Sequence, residues 1–243
     1  VVYRLLLAAL ILAPRVFGWP DQGLAFDAMM HLGTLAALLA YFRGELWGLV
    51  TGALSRRVGA LLLLASLPAG VAGLLFAPLI ATNLRSPTVI AFSLALWAVV
   101  MWVADRGAKT WTPGPGDPLE RVGWGPGLAV GVAQALALIP GTSRSGITIT
   151  TGLLGGLDRA TAARYSFLLG IPITAAAGGL KLFQLLAHGV PTAHAGPLLA
   201  ALLAAFVSGW FAVWFLVTYL KRRSLTPFVV YRLLLAALIL VWL

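Results

Sequence analysis

The sequence predicts an all-α fold: a polytopic membrane helix bundle with re-entrant half-helices. Three observations predict it. Of the 243 residues, 60% are hydrophobic and only 10% charged, against about 25% charged in a typical soluble domain, and the mean hydropathy is +0.97. The apolar residues run continuously rather than alternating, which selects helices over a lipid-facing barrel. Finally, runs long enough to cross a bilayer are mixed with runs that are too short.

Candidate helices lie at 24–42, 58–80, 88–104, 125–139, 143–157, 166–187, 197–220 and 227–243. The loop 43–57 carries Arg43, Arg56 and Arg57 against Glu45, and 221–223 reads Lys221-Arg222-Arg223. This bias toward Lys and Arg predicts that both are cytoplasmic. The segments 58–80, 88–104, 166–187 and 197–220 give four crossings between those loops, so 125–157 must contribute an even number. Its two halves have about 15 residues each, short of the roughly 20 that a crossing needs. They meet at Pro140-Gly141, a strong helix break. A re-entrant hairpin over 125–157 meets both demands. The longest polar stretch is 105–124, whose Pro113-Gly114-Pro115-Gly116 marks an irregular linker. The short loops 81–87 and 188–196 carry one formal charge, Arg85, and are expected outside. A single integral membrane domain, 1–243, is expected, with no cleavable signal peptide.

The formal net charge is +10, from 17 Lys+Arg against 7 Asp+Glu. The basic residues punctuate apolar runs, so they speak for topology and anionic lipid headgroups rather than nucleic acid. No cysteine is present, which excludes disulfides and thiol chemistry. His31, His188 and His194 have no recognisable metal-ligand spacing. The nine tryptophans sit mostly near segment ends, as interfacial anchors do.

The run Ile139-Pro140-Gly141-Thr142-Ser143-Arg144-Ser145-Gly146-Ile147-Thr148 breaks this apolar pattern. An arginine at membrane depth costs at least roughly 2.5 kcal/mol on insertion scales. An arginine, hydroxyls and a helix start together suit an oxyanion such as phosphate. Ser143, Arg144, Ser145 and Thr148 are the candidate catalytic residues; Gly141, Thr142, Gly146 and Gln134 are candidates for substrate binding. Gly141 allows close backbone approach. Thr142 or Ser143 can cap the next helix, whose N-terminal dipole then faces the anion. Arg144 can grip two phosphate oxygens at once. Arg144, Thr148 and Thr151 fall on one helical face, with Ser145 beside it. Thr150 and Thr151 fit a plain bond to their own backbone better. Asp27 fits structural pairing with His31, and His188 and His194 fit a solvated loop.

Pro140, Gly141, Ser143, Arg144, Ser145 and Thr148 complete a signature, Pro-Gly-x-Ser-Arg-Ser-x-x-Thr. Through it the chain resembles the bacterial undecaprenyl-diphosphate phosphatases, also called bacitracin-resistance phosphatases. The flanks agree: Gly131–Leu138 before the signature, Tyr165–Pro172 after it, and Gly18–Asp27 with His31-Leu32-Gly33-Thr34 upstream. The resemblance covers roughly 11–243. It implies hydrolysis of undecaprenyl diphosphate to undecaprenyl phosphate, which recycles the carrier lipid of cell-wall synthesis and bears on antibiotic resistance. It implies descent from two inverted repeats and a multi-pass place in the bacterial inner (plasma) membrane. The partners it implies are a polyprenyl diphosphate lipid and the bilayer, with no nucleic acid and with room for a homodimer. It also implies a divalent cation, Mg²⁺ or Ca²⁺, whose ligands are not identifiable here.

One departure stands out. The family carries a second motif near its N-terminus: acidic residues four apart, then Leu-Pro, a Ser-Ser pair and a His, ending just before Ile11. That place holds Val1–Leu10. Val1–Leu12 reads VVYRLLLAALIL, and so does Val229–Leu240. Recent duplication, an artificially assembled chain and an error in the assigned sequence all remain open. The only glutamates, Glu45 and Glu120, are expected in loops. The family's metal-binding, proton-transfer and nucleophilic roles are therefore carried over to no residue, and the chain as written is expected to lack hydrolase activity on its own. Two rivals stand beside the phosphatase: a lipid-phosphate transporter or flippase using the same arginine pocket, and an inactive or mis-assigned version of the enzyme.

Overall fold

The computed structural model describes residues 23–84, 86–109, 116–188 and 195–242, which form α-helices joined by turns and one short 3-10 helix. In order they are α1 (Gly23–Tyr41), α2 (Arg43–Thr51), α3 (Arg56–Asn83), α4 (Pro87–Arg106), a 3-10 turn over Pro118–Arg121, α5 (Trp124–Leu136), α6 (Arg144–Leu154), α7 (Arg159–His188), α8 (Ala195–Leu220) and α9 (Thr226–Val241). Four are long and apolar enough to cross a membrane: Arg56–Phe76, Pro87–Arg106, Arg159–Ala187 and Gly196–Leu220. These are the four crossings expected from hydropathy. The duplicated segment 1–12 lies outside the described residues, as does the loop 189–194.

Three expectations need correction. The stretch 43–57 is not a continuous loop, because α2 occupies Arg43–Thr51. Glu45 stands in its first turn, where a carboxylate offsets the helix dipole. Glu120 lies in the 3-10 turn rather than in irregular chain. Helix α7 starts at Arg159, seven residues before the expected Ser166. There Asp158 takes the Thr161 amide at 3.0 Å and the Thr161 hydroxyl at 2.6 Å, a cap that makes a charged first turn helical.

The helices group into two compact units, one of residues 1–47 and 170–215, the other of 48–169 and 216–243. In the first, α1 packs on α8, where Gly33 faces Leu202 and Ala205 and Gly209 faces Ala37. The Tyr41 ring meets Trp210 edge-on. The second unit holds the signature and is called the hairpin unit below.

In the hairpin unit, α3 and α5 run side by side in the same direction. Gly127 lies on Leu61, Gly131 on the Ala65 backbone, and Leu138 opposite Gly73. A side chain at Gly131 would overlap that backbone; small residues let membrane helices close to this distance. The segment 137–143 breaks the path. Leu138 and Ile139 bond back to Ala135 and Leu136, tightening the end of α5. Pro140 has no N–H to continue the helix. Gly141 then adopts φ +89, and a Cβ there would stand 2.5 Å from the Ile90 carbonyl, so glycine alone fits. Helix α6 returns until Gly155 meets Pro126 in the first turn of α5. The hairpin therefore enters and leaves from one end, with its break where the sequence places it. Its return arm lies against Met101 of α4 through Gly146 and against Ala162 of α7 through Gly152.

The open end of this unit is basic. Buried Asp105, at the end of α4, receives Arg159 Nε at 2.6 Å and the Leu225 amide at 3.0 Å, joining the ends of α4, α7 and α9. Arg164 holds Asp117 through both oxygens at 3.0 and 3.2 Å. Arg57 donates to the carbonyls of Val122, at 2.9 Å, and Glu120. The Glu120 carboxylate accepts the Ser55 hydroxyl and amide, each at 2.6 Å. Those bonds, the hydroxyl's first, hold its pKa below the usual carboxylate value of 4.5. Through these contacts Arg56-Arg57 and Lys221-Arg222-Arg223 share one end of the unit, as the charge bias predicts.

Candidate functional site

The site is built at the closed end of the hairpin. Ser143 caps α6 in an uncommon conformation, φ +65, which costs a non-glycine residue on the order of 1–3 kcal/mol unless its surroundings fix it. Three contacts do so. The Ser143 hydroxyl accepts the Gly146 amide at 3.3 Å and its carbonyl accepts the Ile147 amide at 3.0 Å. Thr142, fully buried, shares a hydrogen bond of 3.0 Å with Ser93 of α4. Arg232 of α9 donates through Nη2 to the Gly141 carbonyl at 2.9 Å and to the Leu94 carbonyl at 3.4 Å. The positive φ turns the chain so that Arg144 opens α6.

Residues Gly141 to Thr148 are thus brought together around the start of one helix. Of the first-turn amides that lack an intrahelical partner, the Ser143 hydroxyl takes that of Gly146. Ser145 and Gly146 are buried. Thr148 is buried and committed inward: its hydroxyl donates to the Arg144 carbonyl at 2.7 Å and pairs with Ser166 of α7 at 2.5 Å. It holds the residue that carries the guanidinium rather than presenting a hydroxyl to solvent. Gln134, in the last turn of α5, is 2% exposed, and neither amide atom has a partner. The Thr150 hydroxyl is also buried and unpartnered, which corrects the expectation that it bonds its own backbone. Each such group costs about 1–3 kcal/mol against a satisfied one.

Depth follows from α4. Ser93, level with the tip, lies about 20 Å along the helix from Arg106, in a hydrocarbon layer of about 30 Å. The tip therefore stands roughly two-thirds of the way along α4 from its basic end.

Sequence reasoning missed Arg232, Ser93 and Ser166. For Arg232 a signal existed, because an arginine inside an apolar helix is a functional candidate by itself. Ser93 and Ser166 carry no such mark. The expected Asp27–His31 pairing rests on an Asp27 side chain outside the described residues, and the His188 and His194 side chains lie outside them too.

Among the described residues no three His, Cys, Asp or Glu side chains stand close enough to hold an ion. The hairpin unit has four acidic residues, Asp105, Asp117, Glu120 and Asp158. All four lie at the basic end, bound as described above. The described residues around Arg144 therefore do not fit a cation site.

A family model described as "Bacitracin resistance protein BacA" matches residues 7–238. Curated relatives include one named Undecaprenyl-diphosphatase 2 from Stutzerimonas stutzeri (strain A1501). It is 44% identical over 248 residues, covering 96% of this chain and 89% of its own length. An Undecaprenyl-diphosphatase from Moorella thermoacetica is 45% identical over 240 residues, at 96% and 88% coverage. Another, from Geobacter sulfurreducens, is 42% identical over 248 residues, at 97% and 90%.

Proposed function

The chain belongs to the bacitracin resistance protein BacA family, and from that premise we propose that it hydrolyses undecaprenyl diphosphate to undecaprenyl phosphate and inorganic phosphate. Water adds to the terminal phosphorus as the bridging P–O bond breaks, leaving the monophosphate on the lipid. The reaction recycles the carrier lipid of cell-wall synthesis, in the plasma membrane of a bacterium.

The observation that carries this reading is the cradle at the hairpin tip. Arg144 opens α6, preceded by the cap Ser143 and followed by the buried Ser145. The arginine fork takes two oxygens of the terminal phosphate, and the helix dipole adds partial positive charge at the same point. Phosphoryl transfer asks mainly for positioning and charge stabilisation, and these groups supply both. Ser143 and Ser145 donate to the remaining oxygens, while Thr148 and Ser166 keep the first turn of α6 in place. With the basic end cytoplasmic, a tip two-thirds of the way along α4 serves a headgroup nearer the opposite leaflet. The divalent cation implied by the family resemblance would need ligands other than the described side chains around Arg144.

Phosphate release from a long-chain polyprenyl diphosphate by the purified full chain tests the proposal. Arg144→Ala is expected to lower kcat/KM about 10²–10³-fold, the usual cost of losing one charge-stabilising group. Arg144→Lys should fall between, since a point charge replaces a fork. Lipid moved across a vesicle membrane without phosphate release would make the chain a carrier instead.

A further inference from the structure

We propose that the exposed face of α4 binds an anionic phospholipid of the leaflet at the basic end, and that Arg106, stacked on Trp102, grips its phosphate. The proposal is independent of the phosphatase reading. It follows from what each cation at that end meets. Arg57, Arg159 and Arg164 turn inward to carbonyls and carboxylates. Lys109 turns toward Gly156, just past the end of α6. Arg106 differs. It is exposed, and its guanidinium lies 3.8 Å from the centre of the Trp102 ring. A ring holds a guanidinium in place without cancelling its charge. The adjacent acid, Asp105, is buried, and its two oxygens are taken by Arg159 and the Leu225 amide.

Below Arg106 runs an apolar stripe. Phe92, Leu96, Val99 and Val103 stand at i, i+4, i+7 and i+11, and Arg106 at i+14, so the five share one face of α4. The four apolar side chains are each half or more exposed. From Phe92 to Arg106 the helix rises about 21 Å. One leaflet's acyl chains fill about 15 Å, half the hydrocarbon layer, which leaves the last turn or so of the stripe for glycerol and phosphate. Trp102 stands at that level, where interfacial tryptophans sit. The bond between the Leu225 amide and Asp105 sets the exposed Lys221-Arg222-Arg223 beside the same end of α4. Length and charge together therefore fit an anionic diacyl lipid. A zwitterionic lipid brings an amine among these cations, and a soluble anion leaves the stripe uncovered. A second copy of this chain in the same membrane would set like charge against like.

The test uses the full chain in detergent. Dioctanoyl phosphatidylglycerol is expected to raise the melting midpoint further than dioctanoyl phosphatidylcholine does, and glycerol 3-phosphate to leave it unmoved. Arg106→Gln should weaken the apparent affinity for phosphatidylglycerol about fivefold, the worth of one basic residue at a lipid surface, with phosphatidylcholine unaffected. Trp102→Leu should act in the same direction, because the guanidinium loses its platform. Arg106→Lys should lie between Arg106→Gln and the wild type, and it serves if either of the others does not fold. Arg56→Gln removes an exposed cation of the same end from α3 rather than α4, and should leave the affinity unchanged. An undiminished phosphatidylglycerol preference in Arg106→Gln and Trp102→Leu would overturn the proposal. An equal loss in Arg56→Gln would do so too, by showing diffuse charge in place of a site. A matching rise from glycerol 3-phosphate would replace the lipid with a soluble anion. A midpoint that climbs with protein concentration and not with lipid would give the face to a second copy.

Discussion

At the basic end of the hairpin unit, Arg159 and Arg164 each meet a carboxylate. At the tip, Arg232 meets the carbonyls of Gly141 and Leu94. The two arrangements leave different charges behind. Pairing with aspartate cancels the charge and leaves a staple between helix ends. Pairing with carbonyls ties the tip to α9 and leaves the charge of the guanidinium in place. Among the described residues of the hairpin unit, the four carboxylates stand at the basic end.

That contrast can be broken by mutation. The largest effect on stability is expected at the basic end. Asp105→Ala leaves the mostly buried Arg159 without its carboxylate, keeping only the bond to the carbonyl of residue 105, and frees the Leu225 amide, at a cost of about 3 kcal/mol. Denaturation in detergent should show it, with phosphate release per folded molecule near that of the wild type. A tip that lost activity first would mean the two ends are not separable.

Arg232→Met comes next. It removes a charged donor from two carbonyls and should cost about 1.5–3 kcal/mol. Unlike Asp105→Ala, it should also lower kcat/KM, because Gly141 and Ser143 lose their tether; thermal melts and phosphate release on the same samples separate the two. Ser93→Ala removes one hydrogen bond to Thr142 and should cost about 1 kcal/mol, with a smaller loss of activity in the same direction.

The smallest effect is one of pH. Glu120 has its pKa depressed by Ser55. A depressed carboxylate contributes stability above its unfolded pKa of about 4.3 and loses it as pH falls through the folded value. The melting midpoint should therefore drop on acidification below about pH 4.5, and Glu120→Gln should flatten part of that drop. The effect is small because the pair stands open to solvent.

Much of this architecture was legible in sequence because lipid enforces it. Hydropathy marks the four crossings, and two half-length runs around Pro140-Gly141 mark the hairpin. The start of α7 was not, since Asp158, Arg159 and Arg164 look like loop residues until their caps and partners are known. Nor was α2, a short helix with charges at its start. At the site, Ser143–Ser145 declared themselves by local chemistry. Ser93, Ser166 and Arg232 did not, because each acts on a residue far along the chain. Such pairings are made by packing, and no local spacing encodes them.

The Arg232 tether also sets a timetable. Synthesis proceeds from the N-terminus, and α9 is the last of the described helices to be made. The hairpin of α5 and α6 is therefore complete before the residue that ties its tip exists. Until α9 docks, the Gly141 carbonyl lacks its arginine and Ser143 must hold an unfavourable φ with less support. The conformation of the hairpin tip is thus a late product of biogenesis, fixed when α9 closes on it.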